Sequence, residues 1–210
     1  MRHLTILLVI ILLSSSSFAQ HKFAEFQVGL LMPADAKTGF IGGLSFGRMV
    51  DESVGWAIEV DYYHKSYTQE TKVPQTPQGQ VDPVLVTTEI DNSTTLLPLY
   101  LKLVLNTQVA PSLDLRLTGG AGYEFMWNNE TNYKEDKDET RFFSGFTWQV
   151  GAGLSLPISR ASDLYAEVNY HSGSPSKDEG ETVEGLPVRT EVDMTGFLVR
   201  VGIRLYNFGF

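Results

Sequence analysis

Residues 197–205, FLVRVGIRL, set Phe197, Val199, Val201, Ile203 and Leu205 on one parity and Arg200, Gly202 and Arg204 on the other. Successive side chains of an extended chain point to opposite faces, so this stretch carries one wholly apolar face and one charged face. Such a strand needs two unlike surroundings and partners along both of its edges. The sequence continues through Tyr206 and Phe208 to Phe210. An aromatic residue ending a strand predicts a sheet completed by pairing, as in a closed barrel.

The same period recurs along the chain, and no run of helical periodicity interrupts it between residues 20 and 210. Alternation predicts strands over 23–31, 40–49, 56–67, 94–105, 113–127, 141–156, 163–171 and 197–210. Connections after the second, fourth and sixth are short, whereas 68–89, 128–140 and 172–190 read as long polar loops. An even strand number with short turns at one end and long loops at the other predicts an all-β, eight-stranded antiparallel up-and-down transmembrane β-barrel of the outer-membrane type.

The first residues read differently. Met1, Arg2 and His3 make a basic start, residues 4–13 are apolar, and Ser17-Phe18-Ala19 offers small residues at the cleavage positions. The expected division is a signal peptide, 1–19, cut after Ala19, and a barrel domain, 20–210. Sixteen basic residues, Arg2 among them, face 25 acidic ones, so the mature chain carries about −10 and repels nucleic acid. There are no cysteines, which excludes disulfides, thiolate metal sites and a lipidated N-terminal cysteine.

Alternation alone does not say which face is outward, because a soluble barrel shows the same period with its apolar face inside. The polar parity here is rich in glycine and tyrosine and bears charges of both signs at mid-strand. Trp56, Tyr62, Trp127, Tyr170 and Phe208 gather towards strand ends, where an aromatic girdle sits. With the leader and the unequal loops, these features turn the apolar face to lipid.

Residues 96–102, LLPLYLK, resemble the Ile-Pro-Leu-Leu-Leu-Lys motif of small outer-membrane barrels labelled "porin family", the eight-stranded outer-membrane-protein A/X-like domains. Residues 150–154, VGAGL, and 201–206, VGIRLY, are similar to that family's later strands. The resemblance spans the mature chain and implies the barrel fold. It also implies localisation in the bacterial outer membrane and insertion by the barrel-assembly machinery, which reads a terminal signal matched here by Leu205, Tyr206, Phe208 and Phe210. The family ending places an aromatic at Phe208, so Gly209-Phe210 is an extension.

Eight strands enclose a space that side chains fill. Glu25, Glu59, Asp61, Asp114, Glu124 and Glu167 are expected to share it with Lys102, Arg116, Arg200 and Arg204 as a structural charge network, Arg200 pairing with Glu167 and Arg204 with Glu25. The alternative is a small porin-like channel gated by these charges. His171-Ser172, with Glu179 and Glu181 beyond, raises a further alternative, a lipid A-modifying enzyme of the deacylase type. His171 lies on the lumen parity, however, and Gly173 stands where such enzymes carry a serine. Glu135, Asp136 and Asp138 lack calcium-loop spacing. No catalytic, cofactor or metal residue is therefore assigned. The expectation is a monomeric structural or surface-binding membrane protein, not an enzyme. Its partners are outer-membrane lipid, the assembly machinery and an unnamed extracellular ligand held by the loops.

Overall fold

The structure is a computed structural model that describes residues 21–73, 85–133, 137–181 and 187–207. The leader with Ala19, and Phe208 and Phe210 of the terminal signal, lie outside the described residues, as do Glu135 and Asp136 and the side chains of Glu179 and Glu181. Strands run over Lys22–Pro33 (β1), Gly39–Met49 (β2), Val54–Val73 (β3), Leu85–Ala110 (β4), Leu113–Asn132 (β5), Lys137–Ser159 (β6), Ser162–Gly173 (β7), Ser176–Glu181 (β8), Pro187–Glu191 (β9) and Gly196–Tyr206 (β10). β1 to β7 and β10 form a closed antiparallel barrel of eight strands, with β1 paired to β10 from Phe23↔Tyr206 to Pro33↔Gly196. That seam removes the last free edge, the condition for a sheet to sit in hydrocarbon.

Barrel height is unequal. β1, β2, β7 and β10 have 11 or 12 residues, close to the length that crosses a bilayer at a tilt, whereas β3 to β6 have 20 to 26. The stretches expected as long loops are in large part paired strand: β3 continues with β4 to Val73↔Leu85, and β5 with β6 to Asn132↔Lys137. These extensions carry Thr, Asn and Glu on both parities and so lose the alternation that marks a half-buried strand. Residues 172–190 likewise hold the β8–β9 hairpin, joined to β6 at Ser144↔Ser176.

Parity sorts the two faces as the alternation predicts. Phe40, Val28 and Phe146 are 81, 63 and 64% exposed on the outer face, whereas Glu59, Lys102 and Arg116 are fully buried on the inner one. Around the loop end, Trp127 packs on Phe142 (5.4 Å between centroids), Trp148 on Tyr170 (5.8 Å) and Tyr170 on Phe197 (5.7 Å), forming an aromatic girdle. The β3–β4 register passes from Val60↔Leu99 to Tyr63↔Leu96, so the ladder interruption lies beside Pro98, which has no N–H to donate; its other side keeps the pairing Pro98↔Glu124.

Glycines on the inner face make room for the charged side chains opposite. A Cβ on Gly153 would lie 2.6 Å from both Cα and Cβ of Glu167, while one on the outward Gly119 would meet nothing within 4 Å. Gly153→Val should therefore cost about 1–3 kcal/mol or more by overpacking, and Gly119→Val should be near neutral. Urea unfolding of the two variants in the same lipid measures the difference.

Two apolar clusters close the inner space. Towards the loops, Leu31, Ile41, Tyr63, Leu96, Met126, Phe143, Met194 and Leu198 pack together; towards the turns, Phe23, Met49 and Ala57 pack with Tyr206. Met194 arrives from the connection between β9 and β10, which is strapped across the mouth by Met194 N–H donating to the Gly173 carbonyl (2.9 Å) and Ala34 N–H to the Thr195 carbonyl (2.9 Å).

Candidate functional site

Between the two apolar clusters every barrel strand contributes to one polar network. Glu25 on β1 is its hub. Lys102 Nζ lies 2.8 Å from Glu25 Oε2, Arg116 Nη2 lies 2.9 Å from Oε1, and Arg204 Nε donates to Oε1 at 2.8 Å. Lys102 also pairs with Glu59, and Arg116 Nε reaches Glu167 Oε2 at 2.9 Å. Arg200 pairs with Glu167 through Nε and places Nη1 2.9 Å from Glu59 Oε1 and 3.5 Å from Asp61 Oδ2. Four cations thus meet four carboxylates, all of them buried.

Register explains part of this set. Arg204 stands opposite Glu25 across the β1–β10 seam, and Arg200 opposite Glu167 across β7–β10. Other links span the lumen, Arg116 on β5 to Glu25 on β1 among them, and follow from the narrow bore of an eight-stranded barrel. Neutral side chains, which the charge pattern does not reveal, complete the hydrogen bonding. Gln149 Nε2 donates to Glu59 Oε1 (2.7 Å), Gln27 Nε2 to Asp61 Oδ1 (2.9 Å), Tyr165 OH to Gln27 Oε1 (2.9 Å) and Ser45 Oγ to Glu59 Oε2 (3.0 Å). The Arg116 guanidinium also stacks 4.1 Å from the Tyr165 ring centroid.

Two expected members stand apart. Asp114 is half-buried near the turn end, opposite Ser155. Glu124 is buried towards the loop end, where Oε2 lies 3.3 Å from His171 Nε2, and His171 Nδ1 is 2.8 Å from Tyr100 OH. Of the terminal residues, Leu205 and Tyr206 belong to β10, and Tyr206 OH donates to Asp163 Oδ2 at 2.6 Å.

This arrangement separates His171 from Ser172. His171 points into the lumen, while the contact of Ser172 there is its backbone carbonyl, which accepts from Thr147 Oγ1 at 3.1 Å. No helix among the described residues is long and apolar enough to cross a membrane, and no group of three or more His, Cys, Asp or Glu among them could hold a metal ion. The four lumen cations and four carboxylates of the network pair across several strands, while Glu124 Oε1 and Oε2 and His171 Nε2 are buried without a hydrogen-bond partner.

The chain is similar to solved barrels of low sequence identity. A major outer membrane protein from Thermus thermophilus aligns with a TM-score of 0.50 at 14% identity, covering 90% of this chain and 100% of that one. Neisserial surface protein A aligns at 0.48 and 14%, covering 89% and 96%. Ail, the attachment invasion locus protein of Yersinia pestis, aligns at 0.46 and 11%, covering 89% and 97%. The comparison with curated proteins found no match. The family model described as the outer membrane protein beta-barrel domain matches residues 5–206. The closed eight-stranded barrel, its apolar outer face and this match across nearly the whole sequence lead to one conclusion: the chain belongs to the outer membrane protein beta-barrel domain family.

Proposed function

We propose that the protein is a monomeric, non-conducting and non-catalytic barrel of the bacterial outer membrane that serves as a scaffold for surface binding at its loop end. The lumen carries this reading: an interlocked charge network lies between two apolar clusters, an arrangement that supports a non-conducting barrel. The strand extensions beyond the girdle support the binding role, since variable segments held on a rigid scaffold commonly carry recognition. In this reading the leader is cleaved after Ala19, the assembly machinery inserts the barrel, and lipid surrounds it. Its net negative charge disfavours nucleic acid as a partner.

Planar-bilayer recording separates this reading from a charge-gated channel. Wild type and Arg204→Ala should both give no conductance steps, with the variant unfolding at a lower temperature because Glu25 loses one of its cations. Discrete steps in the wild type, or a channel opened by Arg204→Ala, would refute the non-conducting reading. Unchanged lipid A mass on expression is the expected result for a barrel without enzymatic activity.

A further inference from the structure

Above the apolar cluster at the loop end, the inner face of the tall wall changes character. Lys65 and Tyr67 on β3, Asn92 and Thr94 on β4 and Asn128 on β5 face Asp35, Ala36 and Lys37 of the β1–β2 connection and Glu191 and Val192 at the end of β9. Together they enclose about 420 Å³ over a floor that includes Tyr63 and Met126, within the usual size range of small-molecule sites. The cup is assembled by tertiary contacts. Tyr63 OH donates to the Lys37 carbonyl, Asp35 N–H donates to the Asp193 carbonyl at 3.0 Å, and the Lys37 ammonium sits 3.8 Å from the Tyr67 ring centroid.

Its chemistry is specific in kind. The ammonium groups of Lys37 and Lys65 are balanced by the carboxylates of Asp35 and Glu191, so the cup exerts little net pull on an ion. Asn92, Asn128 and Thr94 each offer both donors and acceptors. The Asn92 Oδ1 is buried without a hydrogen-bond partner, an unmet acceptor that a turn of the side chain towards the cup would present to a ligand hydroxyl. A polyhydroxylated ring matches this set: each hydroxyl both donates and accepts, and its C–H face fits the partly exposed apolar side chains of Ala36 and Val192. Charge balance disfavours a sulfated or carboxylated ligand, and the amide-rich wall disfavours an acyl chain.

We propose that this cup binds a neutral saccharide, a proposal that rests on the surface-binding reading and names its ligand class. The test uses the full barrel refolded in lipid nanodiscs, titrated by saturation-transfer NMR with maltose, lactose and di-N-acetylchitobiose, and in parallel with sialyllactose and a sulfated disaccharide. At least one neutral sugar should bind saturably. Asn92→Leu and Asn128→Leu should each weaken it tenfold or more while the folded, heat-shifted gel band is unchanged. Asn169→Ser, a lumen change below the cup, should leave sugar binding intact. Binding confined to the acidic sugars, no neutral sugar bound by the folded wild type, or equal affinity in the Asn92 and Asn128 variants would overturn the proposal. In each of those cases whole-cell adhesion and bilayer recordings still test the surface-binding, non-conducting reading on their own.

Discussion

Glu25→Gln should destabilise the barrel by about 3–5 kcal/mol, the usual effect of removing one partner from a buried ion network. Glu25 alone answers three cations, Lys102, Arg116 and Arg204. Its loss leaves positive charge in a closed interior, where the remaining carboxylates are already engaged with Lys102, Arg116 and Arg200. Loss of heat-modifiable gel migration at a lower temperature, and a lower urea midpoint in the same lipid, measure the effect. Glu25→Gln combined with Arg204→Met should be more stable than Glu25→Gln alone, since the second change removes an unpaired cation and leaves an apolar side chain beside Phe23. A single variant as stable as wild type would show that water reaches and screens the network.

Leu101→Arg should cost about 2–4 kcal/mol, the depth-dependent penalty for a cation on the lipid face near the bilayer midplane. Leu101 is 60% exposed on the outer face and lies between Ile58 and Ala121 on the neighbouring strands. Val109→Arg, on the same strand beside the turn at residues 111–112, should cost no more than about 1 kcal/mol, because the penalty fades towards the interface. Refolding titrations in bilayers compare the two variants, and equal costs would contradict the assignment of this face to lipid. The same pair of substitutions in a soluble barrel would show no such gradient.

The parts of the fold that the sequence makes legible are those where one face is apolar and the other is not. Strand β7, with Leu164, Ala166, Val168 and Tyr170 against Tyr165, Glu167 and Asn169, shows its period plainly because lipid and lumen demand opposite side chains. Beyond the girdle that demand ends. Residues 68–73 and 128–132 are strand, yet their composition is that of a polar loop, with no apolar parity for a period-two reading to find. Closing the sheet makes β1 and β10 neighbours, which brings Arg204 to Glu25. Nothing local in the sequence places Arg116 on the same carboxylate from the opposite wall.

The apolar closures left a signal that charge alone does not show. Leu31, Leu96, Met126 and Leu198 are apolar residues on the polar parity, all towards the loop ends of their strands. Such exceptions at matching heights mark a cap across the bore. Met194 gives no such sign, because it lies in an irregular connection and reaches the cap only through the strap across the mouth.

All three tryptophans of the chain, Trp56, Trp127 and Trp148, sit on the outer face at 39, 36 and 38% exposure. Their intrinsic fluorescence in refolded proteoliposomes therefore reports directly on what that face touches. Lipids brominated on the acyl chain should quench most of it, and aqueous iodide little. Strong quenching by iodide with none by brominated lipid would contradict a barrel that turns its apolar face to the membrane and its charges inward.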